Sequence, residues 1–476
     1  MKLKLFAAIL AGKTVFWLSR LRGNKGTSLP GLVARKFYGD SLRVLAAQVR
    51  KEIIVVSGTN GKTTTCNMIV GMLMDAGYDT IANREGANMI TGVTTSFILS
   101  ADMGGNIDCD YAVLEVDEAS MPKVLAEVTP SVVVLTNFFR DQLDRYWELD
   151  KIIRVIRDAL STLKRATLVL NADDPLVSQF SDNKLLPSVF YGLGKHQRCI
   201  KTNSQTREAK FCPYCGEQLI YDYFHYGQLG KYRCPNCYFE RPDPFVEVLE
   251  TVTTKKGMEC RLIYDNKDVL LNIRARGLYN VYNAMAALSV GLRLGVDVDI
   301  VLESLGKYRT VTGRMESYVY HDKPAFLILV KNPTGFNEAI ATLAAAEGAK
   351  DVFIAINDNE ADGLDISWLW DVDFELLGEE SSSYLCFICS GQRGEEIALR
   401  LKYAGIPPGK ITIDRNIKTA IGNALSGRAG STYLFTTYTA LWPVHKIIKR
   451  LATEEIADDQ CLSSVSGLAE SVRRPR

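Results

Sequence analysis

The spacing of apolar positions changes repeatedly along the chain, and each change marks an element. Short apolar runs rich in β-branched residues occur at residues 53–56, 111–116, 132–135 and 166–170. Runs this short, without polar alternation, predict strands buried on both faces. Each ends in polar residues, and the first is followed by helical spacing at Met68, Ile69, Met72 and Leu73. Repeated strand-then-helix units predict a parallel sheet wrapped on both faces. A second set of runs at 326–330, 352–356, 384–390 and 433–437 predicts a further α/β unit. Residues 31–49 read as helical and lead into the first strand at residue 52.

The N-terminus places Lys2 and Lys4 around a short apolar run, in the manner of a signal peptide. That run breaks at Gly12-Lys13, and Trp17, Leu18 and Leu21 alternate with Lys13, Arg20 and Arg22. An amphipathic helix is the expectation, and both packing on its own protein and resting on a membrane surface fit it. No later segment reaches the roughly 18–20 uninterrupted apolar residues that a membrane span needs.

The 476 residues suit two to three domains. The expected division is a helical segment at 1–50, a nucleotide-binding unit at 51–313 with an insert at 205–243, a C-terminal α/β unit at 314–455, and a disordered tail from 456. Charge excludes little, because 56 basic against 55 acidic residues leaves a net +1 and no global field. Eleven cysteines, mostly scattered singly, suit a reducing cytosol rather than a disulfide framework.

The chemistry concentrates first at Gly58-Thr59-Asn60-Gly61-Lys62-Thr63-Thr64, between a buried strand and a helix. Two glycines let backbone N–H groups turn toward phosphate oxygens, and the helix that follows points its positive end at the same place. Lys62 would reach the β/γ-phosphates of a nucleotide and Thr63 would offer its hydroxyl to Mg²⁺. The loop is shorter than the common GxxxxGK[ST] form, which would need glycine where Val56 stands. The strand at residue 111 ends in Glu115, Asp117 and Glu118. A carboxylate there, on the sheet that carries the phosphate loop, is where a Mg²⁺ ligand is expected. Glu115 is the choice, with Asp117 or Glu118 capping the next helix.

A second array is Cys212-x2-Cys215 and Cys234-x2-Cys237, separated by eighteen residues. Each knuckle brings two thiolates onto one turn, so four can close a tetrahedron around Zn²⁺. Such a closed site is structural. Further on, an acid-rich loop, Asn357-Asp358-Asn359-Glu360-Ala361-Asp362-Gly363-Leu364-Asp365-Ile366-Ser367-Trp368, is longer than a turn requires, and loops at strand ends commonly carry function.

The ordered series Gly58 to Thr64, Leu114-Glu115, Thr136-Asn137 with Asp141 to Tyr146, Asn171 to Asp174, Gly277 to Ala284 and Gly313-Arg314-Met315-Glu316 resembles the motifs of the Mur ligases. That family forms amide bonds on peptidoglycan precursors through an acyl phosphate. The resemblance implies that Asn280 and Asn283 face the adenine and that Arg314 lies at the hinge to the last domain, near the phosphates. Read without it, the two asparagines fit helix N-caps equally well. Gln142 and Tyr279 stand where many of these ligases have histidine, which implies a differently built second metal site.

Within the family, the ribbon and the last domain are most similar to an amidating ligase subunit. The resemblance implies ATP-dependent conversion of the D-glutamate α-carboxylate in the lipid II stem peptide to D-isoglutamine. Ammonia would come from a GatD-like glutaminase partner. This chain supplies no credible Cys-His glutaminase pair of its own. If the partner lacks an acid for its histidine, Asp365, and second Asp362, would supply it across the interface. The alternative is that these acids cap a helix starting near Ser367. An amino-acid-adding Mur ligase and a non-catalytic nucleotide-binding scaffold are the competing readings.

Overall fold

The computed structural model describes residues 2–454 except 84–86, 141–148, 183–185, 198, 202–207, 255–256, 310–313 and 380. The motif at Asp141 to Tyr146, with Gln142, and the tail from 456 therefore lie outside the described residues. The phosphate-loop unit is built on strands β1 (Glu52–Ser57), β2 (Thr80–Ala82), β3 (Tyr111–Glu115), β4 (Val132–Leu135), β5 (Thr167–Asn171) and β6 (Ser188–Leu193). They pair in parallel in the order β6-β5-β4-β1-β3-β2. β3, β4 and β5 are buried along their whole length, because helices cover both faces, and this is why their sequences do not alternate.

The insert forms an antiparallel hairpin, β7 (Ile220–Tyr226) and β8 (Leu229–Arg233). The chain then returns to the sheet as β9 (Val246–Thr254), parallel to β6, and continues into antiparallel β10 (Gly257–Tyr264) and β11 (Lys267–Ile273). These three strands alternate buried and exposed residues over most of their length, as an extension wetted on one face must. They complete a nine-stranded sheet that the apolar runs alone did not mark.

The second sheet holds β12 (Arg314–Tyr320), β13 (Lys323–Leu329), β14 (Lys350–Ala355), β15 (Tyr384–Ser390), β16 (Ile411–Ile413), β17 (Ser431–Thr436) and β18 (Thr453–Glu454). Its order is β16-β15-β14-β17-β13-β12-β18, parallel from β16 to β13, with β12 and β18 antiparallel at one edge.

The N-terminal segment is a helix, Lys2–Leu21, followed by Leu29–Phe37. Leu5, Ala8, Ile9 and Gly12 are buried, and Gly12 packs so closely on Ile98 and Ala34 that a Cβ would collide with Ile98. This helix does pack on its own protein. The opposite face leaves Leu3, Trp17, Leu18 and Leu21 exposed. Among the described residues, no helix is long and apolar enough to cross a membrane.

Candidate nucleotide and metal sites

β1 ends at Ser57, and the helix Lys62–Asp75 begins four residues after Gly58. Gly58 has φ 123° and Gly61 φ 89°, conformations that side chains with a Cβ rarely adopt. Space excludes a side chain too: a Cβ would lie 2.3 Å from Thr136 Oγ1 at Gly58 and 2.1 Å from Asn283 Oδ1 at Gly61. The end of β4 shapes the loop. The Thr136 hydroxyl donates to Asn60 O (2.7 Å), Asn60 N–H donates to Asn137 Oδ1 (2.9 Å), and Thr59 N–H donates to Asn137 O (2.8 Å). Thr63 is partly exposed in the first helical turn and Thr64 is buried.

The Lys62 ammonium is nearly buried, at 8% exposure. It donates to Gly58 O at 2.5 Å and pairs with Glu118 Oε1 at 3.1 Å. Of the two acids after β3, Asp117 is the one that takes the expected capping role, accepting from Ala119 N–H at 3.1 Å. Glu118 does not cap but meets the lysine, because the 3₁₀ turn Glu118–Ser120 carries its side chain back toward the loop. Glu115 is buried at the end of β3, in register with Val56 of β1. Asn83 clamps its backbone with two hydrogen bonds, 2.8 and 2.7 Å, and Asn88 Nδ2 lies 3.4 Å from its carboxylate. Burial pushes the Cys66 thiol well up; the Glu115 charge adds to this and Lys62 opposes it.

Asn280 and Asn283 lie in the first turns of the helix Leu278–Leu294, whose N-cap is Gly277. Neither is the cap, since Asn280 Nδ2 instead donates to Arg276 O at 2.7 Å. Asn283 is buried against Gly61 and accepts from the Thr65 hydroxyl at 3.3 Å, so it sits directly on the phosphate loop. Arg314 opens β12, but its side chain is outside the described residues.

The second unit touches this loop. After β13, Lys331 Nζ donates to Thr59 O (3.2 Å) and Asn332 Nδ2 donates to Asn60 Oδ1 (3.1 Å). Asn332 also caps the helix Pro333–Ala344, accepting from Gly335 N–H at 2.8 Å. Beside this contact Arg140 bridges Glu208 of the insert (3.2 Å) and Asp371 of the second unit (3.5 Å), walling a narrow cleft with Gly227, Pro333, Thr334 and Asn337. The Lys331–Asn337 stretch has no role assigned from sequence. Its signal was present: a lysine and a helix-capping asparagine directly after a buried strand.

The donor set fits a nucleotide and its cation. The positive-φ glycines form a cradle that a Cβ would fill, the nearly buried Lys62 ammonium next to it pairs with Glu118, and buried Glu115 ends the strand beside β1. Anion binding at a helix N-terminus and a hard divalent cation held by oxygen are the chemistry such a set supports.

At the ribbon, the first cysteine of each knuckle donates its N–H to the carbonyl five residues on: Cys212 to Glu217 and Cys234 to Phe239, both at 2.7 Å. The two turns are therefore built alike. Sulfur atoms lie 3.6 Å apart for Cys212 and Cys237, 3.4 Å for Cys215 and Cys234, and 3.8 Å for Cys215 and Cys237. Zn–S bonds of about 2.3 Å in a tetrahedron put sulfurs about 3.8 Å apart, whereas a disulfide holds them at about 2.05 Å. These four thiols fit a metal.

The acid loop after β14 separates its two aspartates. Asp362 is buried and accepts from Thr439 N–H at 2.7 Å, with the Thr439 hydroxyl and Asn359 N–H (3.3 Å) on its other oxygen. It pins the loop to the helix Tyr438–Leu451. Asp365 is half-exposed and accepts from Ser367 N–H (2.8 Å) and the Ser367 hydroxyl (2.9 Å). It bonds the first residue of the 3₁₀ turn Ser367–Asp371 from one position before that turn's N-cap, Ile366. Leu364 and Trp370 on either side of it are exposed.

Comparison with known proteins agrees with this architecture. Residues 56–239 match the Mur ligase middle domain and residues 329–441 the MurT ligase C-terminal domain. The chain is 39% identical over 448 residues to the lipid II isoglutaminyl synthase (glutamine-hydrolyzing) subunit MurT of Staphylococcus aureus (strain COL), covering 94% of this chain and 98% of that one. It is 36% identical to the subunit of that name from Streptococcus pneumoniae, with 94% and 98% coverage. Among solved structures, a pseudomurein peptide ligase type C from Methanothermus fervidus superposes with a TM-score of 0.65 at 25% identity, covering 86% of this chain and 80% of that one. With near full-length identity to MurT subunits and both domain matches in place, the chain belongs to the MurT family of Mur-type ligases.

Proposed function

We propose that the chain is the ligase subunit of a glutamine-dependent amidating enzyme acting on lipid II. One observation carries the reading: the Lys62–Glu118 pair of the first unit and Lys331 of the second meet at a single phosphate loop, with buried Glu115 ending the strand beside β1. A carboxylate substrate held in the cleft between the units would face both cations, and ATP would supply the phosphoryl group that activates it. Gly58, Thr59, Asn60, Gly61, Thr63 and Thr64 would cradle the phosphates, with Asn280, Asn283 and Arg314 around the nucleotide. Thr63 and Glu115 would hold Mg²⁺. The terminal phosphoryl group would pass from ATP to the D-glutamate α-carboxylate, leaving ADP; ammonia attacks the carbonyl carbon of the acyl phosphate, phosphate leaves with the C–O bonding pair, and the nitrogen gives one proton to the departing phosphate, leaving D-isoglutamine. Preorganised positive charge at the transferring phosphoryl group is the main contribution expected of Lys62.

Ammonia would come from a GatD-like glutaminase docked on the second unit. Asp365 suits the acid supplied in trans, because it is half-exposed between exposed apolar residues, whereas Asp362 would have to abandon buried hydrogen bonds. In this reading the working division is 1–50, 51–313 with the ribbon at 205–243, and 314–455. Cys212, Cys215, Cys234 and Cys237 hold a structural Zn²⁺. The outward Leu3, Trp17 and Leu21, beside exposed Lys2, Arg20 and Arg22, suit contact with the anionic inner face of the plasma membrane, where lipid II would be met. Co-sedimentation with anionic vesicles checks that contact.

The deciding experiment is ATP-dependent phosphate release by the purified chain with lipid II, run with free ammonia and then with amino acids. Ammonia is expected to support turnover. Turnover that needs an amino acid would make the chain an amino-acid-adding ligase, and none with any nucleophile would make it a scaffold.

A further inference from the structure

Two of the four histidines and one cysteine converge outside both the phosphate loop and the ribbon. His196 and Cys199 follow the end of β6 at Leu193, and His225 lies on β7. His225 Nδ1 is 3.1 Å from His196 Nε2 and 3.5 Å from Cys199 Sγ, and the two rings stack at 5.1 Å with 10° between their planes. All three ligand atoms lie within 4.8 Å of one another. A tetrahedral ion with nitrogen at about 2.05 Å and sulfur at about 2.3 Å sets N–N near 3.3 Å and N–S near 3.6 Å. The two distances from His225 Nδ1 are close to those values, and His196 Nε2 and Cys199 Sγ lie within 4.8 Å of each other.

The far side of His225 fixes its tautomer. Its Nε2 is 3.1 Å from the Leu193 carbonyl, which can only accept, so Nε2 carries the hydrogen and Nδ1 presents its lone pair to the cluster. The Asp173 carboxylate backs the ring at 3.7 Å and is itself held by Arg241 Nε (2.6 Å), Leu193 N–H (2.7 Å) and the Tyr282 hydroxyl (2.7 Å). A carbonyl and a carboxylate behind the distal nitrogen are the outer shell that orients a metal-binding imidazole.

We propose that His196, Cys199 and His225 form a second metal site, taking Zn²⁺ or a related divalent transition ion and leaving one coordination position for water. It ties the turn after β6 to β7, at the base of the insert, as the four cysteines tie its tip. A hydrogen-bonded His–His–Cys cluster that holds no metal is the competing explanation.

The test uses the full-length chain equilibrated with Zn²⁺ and desalted. Two zinc ions per chain are expected, falling to one in His196→Ala and in Cys199→Ser, with circular dichroism reporting an intact fold. Titration of the metal-free wild type with Co²⁺ gives a second measurement that needs no variant. The first equivalent should give a tetrathiolate spectrum, and the second a weaker charge-transfer band from one thiolate. One zinc in the wild type, two zincs unaffected by both substitutions, or no second cobalt band would each overturn the proposal.

Discussion

The loop after β1 and the loop after β14 occupy equivalent places, each at the carboxyl end of a central parallel strand, yet they are built in opposite senses. Around the first, Thr59, Lys62, Glu115 and Glu118 are all buried, and Lys62 pairs with Glu118. Around the second, Asp362 is buried as a pin, while Leu364 at 65% and Trp370 at 55% exposure face out. Strand carboxyl ends collect function in both sheets. The direction of the side chains decides its kind: an inward set suits a phosphorylated small molecule, and an outward apolar set around a carboxylate suits a protein partner.

The sharpest break of this comparison is Lys62→Ala. Lipid II-dependent phosphate release should fall on the order of 10³-fold, with circular dichroism reporting a retained fold and a melting midpoint lowered by the loss of the buried pair with Glu118; near-normal turnover at saturating ATP would remove the inward loop from the chemistry. Asp365→Asn should cost roughly 10²-fold or more in glutamine-driven amidation, with ammonia-driven amidation and complex formation intact. Equal loss with both nitrogen sources would place Asp365 in the ligase step and dissolve the distinction between the loops.

Smaller effects separate scaffold from chemistry. Cys212→Ser or Cys234→Ser should lose one zinc per chain and lower thermal stability while turnover survives at low temperature, because a closed four-thiolate site contributes folding free energy and offers no open position. Asp362→Asn should destabilise by about 1–3 kcal/mol, since it weakens the buried bonds to Thr439, and should affect both nitrogen sources alike. Glu115→Ala should raise the Mg²⁺ concentration needed for half-maximal activity; an unchanged Mg²⁺ titration would hand that role to Glu118.

Sequence alone determined what contiguous residues encode. Loop glycines next to Lys62, two CxxC knuckles, and apolar runs too short and too uniform for anything but buried strands each carry their physics within a few positions. The expected strand at 384–390 is observed with those bounds, and the other central strands agree with expectation to within a few residues. The alternating strands β9 to β11 were not legible in this way, because alternation says only that one face is wet and not which sheet the strand joins. Tertiary structure decided the pairings. Glu118 meets Lys62 across 56 positions and Lys331 meets Thr59 across 272, distances over which only strand order fixes proximity. Likewise it separated the roles of Asp362 and Asp365, three residues apart in one loop. Burial and the position of Thr439 turned one inward and left the other at the surface, and no local pattern contains that information.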